Sequence, residues 1–263
     1  MISSSADMKN SQAKKPNSST KPTLWKLGEH RLAQGDAHDV ELVKMLLGNT
    51  KVNAIVSDPP YGVMLVESKM GISPLKAHKI IANDDICTDP EYADFTHAWL
   101  APVLPQMSKK NSIYIFNADK MLFALKAGMD RAGVRFSQLI IWVKNHAIVG
   151  RKDYLPQHEL IVFGWFGTHT FRRSKDKSVI FYPKPNKSPL HPTMKPVGLI
   201  SRLILNSTEI GDVVYDGFGG SGTTLIACEQ TKRRCFMVEQ DPEYCQTIIK
   251  RWEQMTKRKA ELL

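Results

Sequence analysis

The sequence predicts an α/β fold built on a doubly wound, mostly parallel sheet. Three observations carry that prediction. Short apolar runs rich in β-branched residues alternate with segments of helical spacing along most of the chain. One such run, Val52 to Val56, stops at Ser57-Asp58-Pro59-Pro60-Tyr61-Gly62. Another, Val213 to Tyr215, leads through a glycine-rich turn, Gly217 to Gly222, into a helix. Sheets of this kind bind ligands beyond the carboxyl ends of their strands, where the strand order reverses.

The elements follow in order. Residues 1–22 are rich in Ser, Lys, Asn and Pro and read as a disordered basic arm, leaving 23–263 as the folded domain. Leu24 to Ala33 reads as a strand or hairpin closed by Gly35-Asp36, and Val40 to Leu47 has helical spacing. The strand at 52–57 comes next. Residues 63–90 have weak periodicity and end in Asn83-Asp84-Asp85; loops of that length in compact domains are usually functional or mobile. Glu91 to Met107 reads as a helix disturbed by Pro102 and Pro105. Ser112 to Phe116 is a strand, Met121 to Ala132 a helix, and Leu139 to Val143 and Glu159 to Trp165 two more strands. Residues 166–191 are basic and proline-rich, with Phe171, Phe181 and Tyr182 interleaved. Pro196 to Ser207 reads as a helix with proline at its start. The strand at 212–215, the glycine turn, a helix from Thr223 to Gln230, a strand from Cys235 to Glu239 and a helix from Pro242 to about Lys259 complete the chain.

With 263 residues and 42% hydrophobic content, the chain can build one large α/β core. No run approaches membrane-spanning length and the N-terminus has no apolar signal segment, so a cytoplasmic protein is expected. A net charge of +10 favours polyanionic partners such as nucleic acid. Cys87, Cys228, Cys235 and Cys245 form no C-x-x-C pair, so no metal site is expected.

The two prolines after Asp58 forbid helix and end ladder pairing. They leave a rigid edge with one carboxylate, free carbonyl oxygens and the aromatic face of Tyr61. Such an edge suits a flat ligand that carries an amine, or is simply a polar turn. In the second motif, glycines let the backbone approach a ligand, and the following helix start favours an anionic group. Dinucleotides, mononucleotides and S-adenosylmethionine all use such turns; the lack of Gly-Lys-Ser/Thr excludes a P-loop. Glu239 ends the next strand about twenty residues on, where an acid can accept from both ribose hydroxyls. A helix cap is its plainer reading.

Taken together, SDPPYG, LIIWVKNH with QHELIVFGW, HPTMKP at 191–196 and DGFGGSGTT resemble the permuted β class of S-adenosylmethionine-dependent DNA amino-methyltransferases, which act on N6 of adenine or N4 of cytosine. From about Asn111 onward the likeness is to phage- and prophage-type members. The resemblance spans roughly residues 24–259 and implies a seven-stranded, Rossmann-like, circularly permuted methyltransferase sheet with a β-hairpin. One departure stands out: the family usually has Asp-Pro-Phe where this chain has Asp216-Gly217-Phe218, and glycine there implies a looser turn.

The resemblance also implies roles. Asp58 and the carbonyl of Pro59, made available by the Pro59-Pro60 pair, accept the two N–H bonds of the target amine, and Tyr61 stacks on the base. Asp216, Phe218, Gly219, Gly220, Ser221, Gly222, Thr223 and Thr224 hold the methionine part of the cofactor, Glu239 the ribose, Asp36 the adenine end and Lys195 the carboxylate; Gly35-Asp36 also reads as an ordinary turn, and the segment ending in Lys195-Pro196 as a proline-fixed helix start. Asn83 and Asp84 close over the base, or form an ordinary polar turn. Arg172, Arg173, Lys175 and Lys177 are the candidate DNA contacts in a short target-recognition insert at about 166–191. The implied partner is double-stranded DNA, with room for a homodimer and a cognate restriction enzyme. Adenine is favoured over cytosine because Ser-Pro-Pro-Tyr is commoner in the N4-cytosine enzymes. An inactive DNA-binding homologue is the alternative of a different class. C5-cytosine transfer is excluded, since no cysteine follows a proline.

Overall fold

The computed structural model describes residues 23–61, 88–147, 153–172, 176–184 and 194–263. A hairpin of β1 (Thr23–Leu27) and β2 (His30–Gln34) opens the domain. Helix α1 (Val40–Leu47) starts at Asp39, whose side chain accepts from the N–H groups of Glu41 and Leu42. Strand β3 (Val52–Ser57) precedes the proline pair. Helix α2 (Asp89–Leu100) ends well short of the Met107 limit that its spacing suggests. Pro102 and Pro105 cannot supply helical N–H bonds, so the chain makes a 3₁₀ turn at Leu104–Gln106 and enters β4 (Met107–Asn117). After α3 (Leu122–Arg131) come β5 (Val134–Val143), β6 (His158–Phe166), β7 (Thr168–His169) and β8 (Val179–Phe181). The remainder is α4 (Val197–Ser207), β9 (Val213–Asp216), α5 (Thr223–Thr231), β10 (Arg234–Glu239), α6 (Pro242–Thr256) and β11 (Glu261–Leu262).

The strands form one mixed, mostly parallel sheet in the order β11-β1-β2-β10-β9-β3-β4-β6-β5-β8, with β7 on β4. Among the described residues it has eleven strands rather than seven. The hairpin with β11 extends one edge, and the two- and three-residue strands β7 and β8 add to the other side. Strands β2, β10, β9, β3 and β4 run in parallel; β6 opposes β4 and β5.

Alternate side chains of the central strands serve two cores, as a period of two requires. Ile55, Val213, Tyr215, Phe236 and Val238 pack with α1, α2 and α3. Ala54, Val56, Val214, Cys235 and Met237 pack with α4, α5 and α6. Burial on both faces explains why these strands are nearly continuous apolar runs. Among the described residues no helix is long and apolar enough to cross a membrane.

The strand order fixes the site. From β3 the chain moves outward to β4, and from β9 it moves outward the other way to β10. The sheet therefore reverses between β3 and β9, which are direct neighbours about 4.8 Å apart. The proline pair and the glycine turn, some 160 residues apart in sequence, leave the same end of adjacent strands.

Candidate active site

Ser57, the last residue of β3, joins the two motifs. Its hydroxyl donates to Asp216 Oδ1 at 3.1 Å and accepts the Gly217 N–H at 3.0 Å. Asp216 Oδ1 also accepts the Phe218 N–H at 3.1 Å. The bond from Gly217 bears on the departure from Asp-Pro-Phe: proline has no N–H to give, and here that N–H ties the turn to β3 instead of leaving it loose. Nothing in the sequence singled out Ser57.

Asp58 follows at the sheet's carboxyl edge. Its Oδ1 accepts from the Tyr61 hydroxyl at 2.6 Å, and its Oδ2 forms an ion pair with Lys195. The Pro60 carbonyl accepts from the Tyr92 hydroxyl at 2.9 Å. The Pro59 carbonyl accepts no hydrogen bond from any described residue.

Behind Asp58 lies a buried charge network. Lys195, just before α4, is expected to reach a cofactor carboxylate. In the structure its ammonium goes to Asp58 and lies 3.3 Å from Glu159 Oε2, so it belongs to the DPPY half of the site. It sits 5.4 Å from the ring centre of Tyr61 and 5.2 Å from that of Phe116. The Tyr61 hydroxyl is also 3.2 Å from the same Glu159 oxygen. Glu159 Oε1 pairs with the buried Lys144 ammonium at 2.7 Å. Burial alone would raise the Glu159 pKa; Lys195 and then Lys144 outweigh it and hold the carboxyl down at about 2. Burial, then Asp58 and Glu159, push the Tyr61 hydroxyl well above its usual range. For Lys195 burial lowers the pKa, but the two carboxylates prevail and raise it. Glu159 and Lys144 fall inside the stretches QHELIVFGW and LIIWVKNH, yet carried no assigned role. The available signal was a charge bounding a buried apolar strand at the sheet's ligand end.

The glycine turn holds the second half. Gly220 and Gly222 have φ of 51° and 80°, in the left-handed region. A Cβ on Gly219 would meet Met237 Sδ at 2.7 Å, so only glycine lets the turn lie on β10. Phe218 packs against Phe95 and Trp99 of α2, with ring centres 5.9 and 5.4 Å away. Ser221, Thr223 and Thr224 are buried at the start of α5, and the Thr224 hydroxyl also bonds Asp216. Burial pushes the Asp216 carboxyl up to about 7, against the hydrogen bonds from Thr224, Phe218 and Ser57. Asp216 forms no ion pair among the described residues.

Glu239 ends β10. Its Oε2 accepts the Gly220 N–H at 2.6 Å and its Oε1 the Asp241 N–H at 2.8 Å. The cap of α6 is Asp241, not Glu239. The Gln240 N–H also bonds the Glu239 carboxylate, which leaves one of its four acceptor sites without a backbone donor. Asp36 lies beyond β2, next to Glu239 through the Gly35 N–H bond to the Glu239 carbonyl at 3.0 Å. It is half exposed and accepts from both the backbone and the ring of His38, and the ring bond is the main cause of its lowered pKa.

The basic candidates lie elsewhere. Arg172 pairs with Glu209 at 2.6 Å, and its N–H bonds the Asn206 carbonyl. It follows the carboxyl end of β6, which runs antiparallel to β4, and so sits at the opposite end of the sheet from Asp58. Lys177 is exposed two residues before β8. Arg173, Lys175, Asn83, Asp84, His191 and the basic arm lie outside the described residues.

The model of the DNA methylase family matches residues 52–251, a span that contains both halves of this site. The chain belongs to that family. The DNA methylases of this family include N6-adenine and N4-cytosine enzymes. The chain is similar to the Type II methyltransferase M.HpaI of Haemophilus parainfluenzae, 25% identical over 231 residues covering 78% of this chain and 69% of the relative. It is 23% identical to M2.MboI of Moraxella bovis over 229 residues, 79% of this chain and 83% of that one. Of solved structures, the M1.HpyAVI–SAM complex superposes with a TM-score of 0.61 at 25% identity, covering 84% of this chain and 98% of the other. The cytosine-N4-specific PvuII DNA methyltransferase gives 0.67 at 16% identity over 88% and 91%, a likeness of fold alone.

Proposed function

We propose that this DNA methyltransferase moves a methyl group from S-adenosylmethionine to the N6 amine of adenine in double-stranded DNA. The observation that carries the reading is the meeting of Asp58 and Asp216 at the reversal point of the sheet, bridged by Ser57. One carboxylate belongs to the residue before Pro59, and the other accepts the Phe218 N–H of the glycine turn.

The glycine turn fits the cofactor. Asp216 is a buried carboxylate with hydrogen-bond donors but no counter-charge among the described residues. A cationic ligand group supplies what its surroundings lack. Glu239 ends β10 beside the turn with acceptor capacity left on its carboxylate, which supports a role for it at the ribose, and its neighbour Asp36 is assigned to the adenine end. S-adenosylmethionine supplies there a methyl group made electrophilic by the sulfonium.

The chain's own residues act on the acceptor. An exocyclic base amine is a weak nucleophile because its lone pair is delocalised into the ring. Asp58 Oδ2 or Oδ1 and the Pro59 carbonyl accept its two N–H bonds, favour a pyramidal nitrogen and stabilise the positive charge that develops there. The target base leaves the duplex to reach them. Tyr61 is assigned the stacking face for the base, and its hydroxyl fixes the direction of the Asp58 carboxylate.

The chain order, DPPY before the glycine turn, supports placement in the permuted β class. Asp58 rather than serine at the start of DPPY supports adenine. The short connection between β6 and α4 supports a short or weakly selective recognition sequence, and the net charge of +10 supports the DNA substrate. Nucleoside mass spectrometry of DNA incubated with enzyme and cofactor tests the base directly. N6-methyladenine is expected; N4-methylcytosine in its place would overturn the adenine assignment.

A further inference from the structure

Both oxygens of the Asp58 carboxylate have partners within the protein. Tyr61 donates to one oxygen, and the Lys195 ammonium sits on the other. An ammonium on that oxygen occupies the place that the reading above gives to the target amine: both are nitrogen donors to one carboxylate. An oxygen can accept two donors, but the target nitrogen gains positive charge as it reacts, and an ammonium held on the same buried oxygen repels it, so entry of the base favours displacement of the cation. Lys195 is 6% exposed, so it cannot retreat into water. A buried charge that loses its partner is costly unless a second anion takes it.

The second anion is present. Glu159 Oε2 lies 3.3 Å from Lys195 Nζ and 3.2 Å from the Tyr61 hydroxyl. One oxygen of Glu159 thus faces both donors now directed at Asp58. Its other oxygen is anchored by Lys144 at 2.7 Å, so the carboxylate is held in place from behind. A small shift of the ammonium exchanges one carboxylate for the other.

Resting on that reading of Asp58, we propose that Glu159, anchored by Lys144, is a positioning residue that receives the Lys195 ammonium when the target amine takes its place on Asp58. Glu159 itself touches neither base nor cofactor. It lets Asp58 exchange an internal cation for the substrate amine without leaving a buried charge unpaired.

Two experiments test this. The first is a crystal structure of the protein with duplex DNA and S-adenosylhomocysteine. The expected result has the target amine on Asp58 and Lys195 Nζ within hydrogen-bond distance of Glu159 and clear of Asp58. An amine on Asp58 with the ammonium still beside it overturns the proposal alone. An amine bound away from Asp58 overturns the functional reading as well. The second is kinetic. Lys144→Met/Glu159→Met removes the buried pair at constant net charge. Melting temperature and cofactor affinity should stay near wild type, while kcat/KM for DNA falls at least tenfold. Adding Lys195→Met, which removes the competing cation, should recover part of that loss. A double variant with wild-type kcat/KM, or a triple variant no better than the double, overturns the proposal; should the double variant fail to fold, the crystal structure decides.

Discussion

Replacing Asp216 by Asn separates its charge from its hydrogen bonds. Burial pushes this carboxyl from 3.8 up to about 7, although Ser57, Thr224 and the Phe218 N–H all bond it. That displacement corresponds to about 4 kcal/mol against the charged form. The folded pKa lies above the unfolded one, so the ligand-free protein holds the proton between pH 3.8 and 7 and loses stability as pH rises through that window. A cationic ligand needs the carboxylate, so its binding should tighten as the proton leaves. For a group titrating near 7, affinity for S-adenosylmethionine should rise about tenfold from pH 6 to pH 8, then level off. Asn keeps the size but cannot titrate. The variant should bind more weakly, show a flat profile over that range, and unfold at higher denaturant than wild type at pH 8. Calorimetric titration at several pH values reads the affinity. A flat wild-type profile, or an Asn variant with the same slope, would refute the argument that Asp216 meets a cationic ligand group.

Other outcomes follow from the same contacts. Ser57→Ala deletes the donor to Asp216 and the acceptor of the Gly217 N–H, and should cost about 1–3 kcal/mol in a urea melt; an unchanged midpoint would show the bridge to be idle. Glu239→Ala should raise the apparent KM for cofactor and lower stability together, because the same carboxylate holds the Gly220 N–H; a change in stability with an unaltered KM would remove Glu239 from the cofactor site. Gly198→Ala places a Cβ 1.9 Å from the Tyr182 hydroxyl and should destabilise by about 1–3 kcal/mol. Tyr182→Phe in the same chain removes the 1.9 Å contact but leaves the ring carbon 2.8 Å away, so it should restore only part of that loss, and no recovery would mean that Tyr182 does not dock on α4.

Much of the site could be read from the sequence because its parts are local. A proline pair after an apolar strand and a glycine turn before a helix are written in consecutive residues, and each kept its place. The sheet's reversal point brought them together as a doubly wound order requires. What escaped was long-range. Ser57 is unremarkable until Asp216 and Gly217 arrive from about 160 residues away. Nothing in the sequence links Glu159 to Lys144, and only the antiparallel pairing of β5 with β6 brings them together beside Lys195. The pairing of Lys195 with Asp58 is not legible in its motif, which fixes a helix start but not the direction of a long side chain. Arg172 shows the same gap: its charge is plain in sequence, whereas its pairing with Glu209 at the far end of the sheet depends on strand direction.

The central claim is that Asp58 accepts the target amine at a site joined to a separate cofactor turn. Methyl transfer from labelled S-adenosylmethionine to duplex DNA, measured for wild type and Asp58→Ala alongside calorimetric cofactor binding, tests it most directly. The account predicts labelled DNA from wild type, no label above background from the variant, and cofactor affinity within a few-fold of wild type in both. Normal methylation by Asp58→Ala, or loss of cofactor binding equal to the loss of transfer, would contradict it.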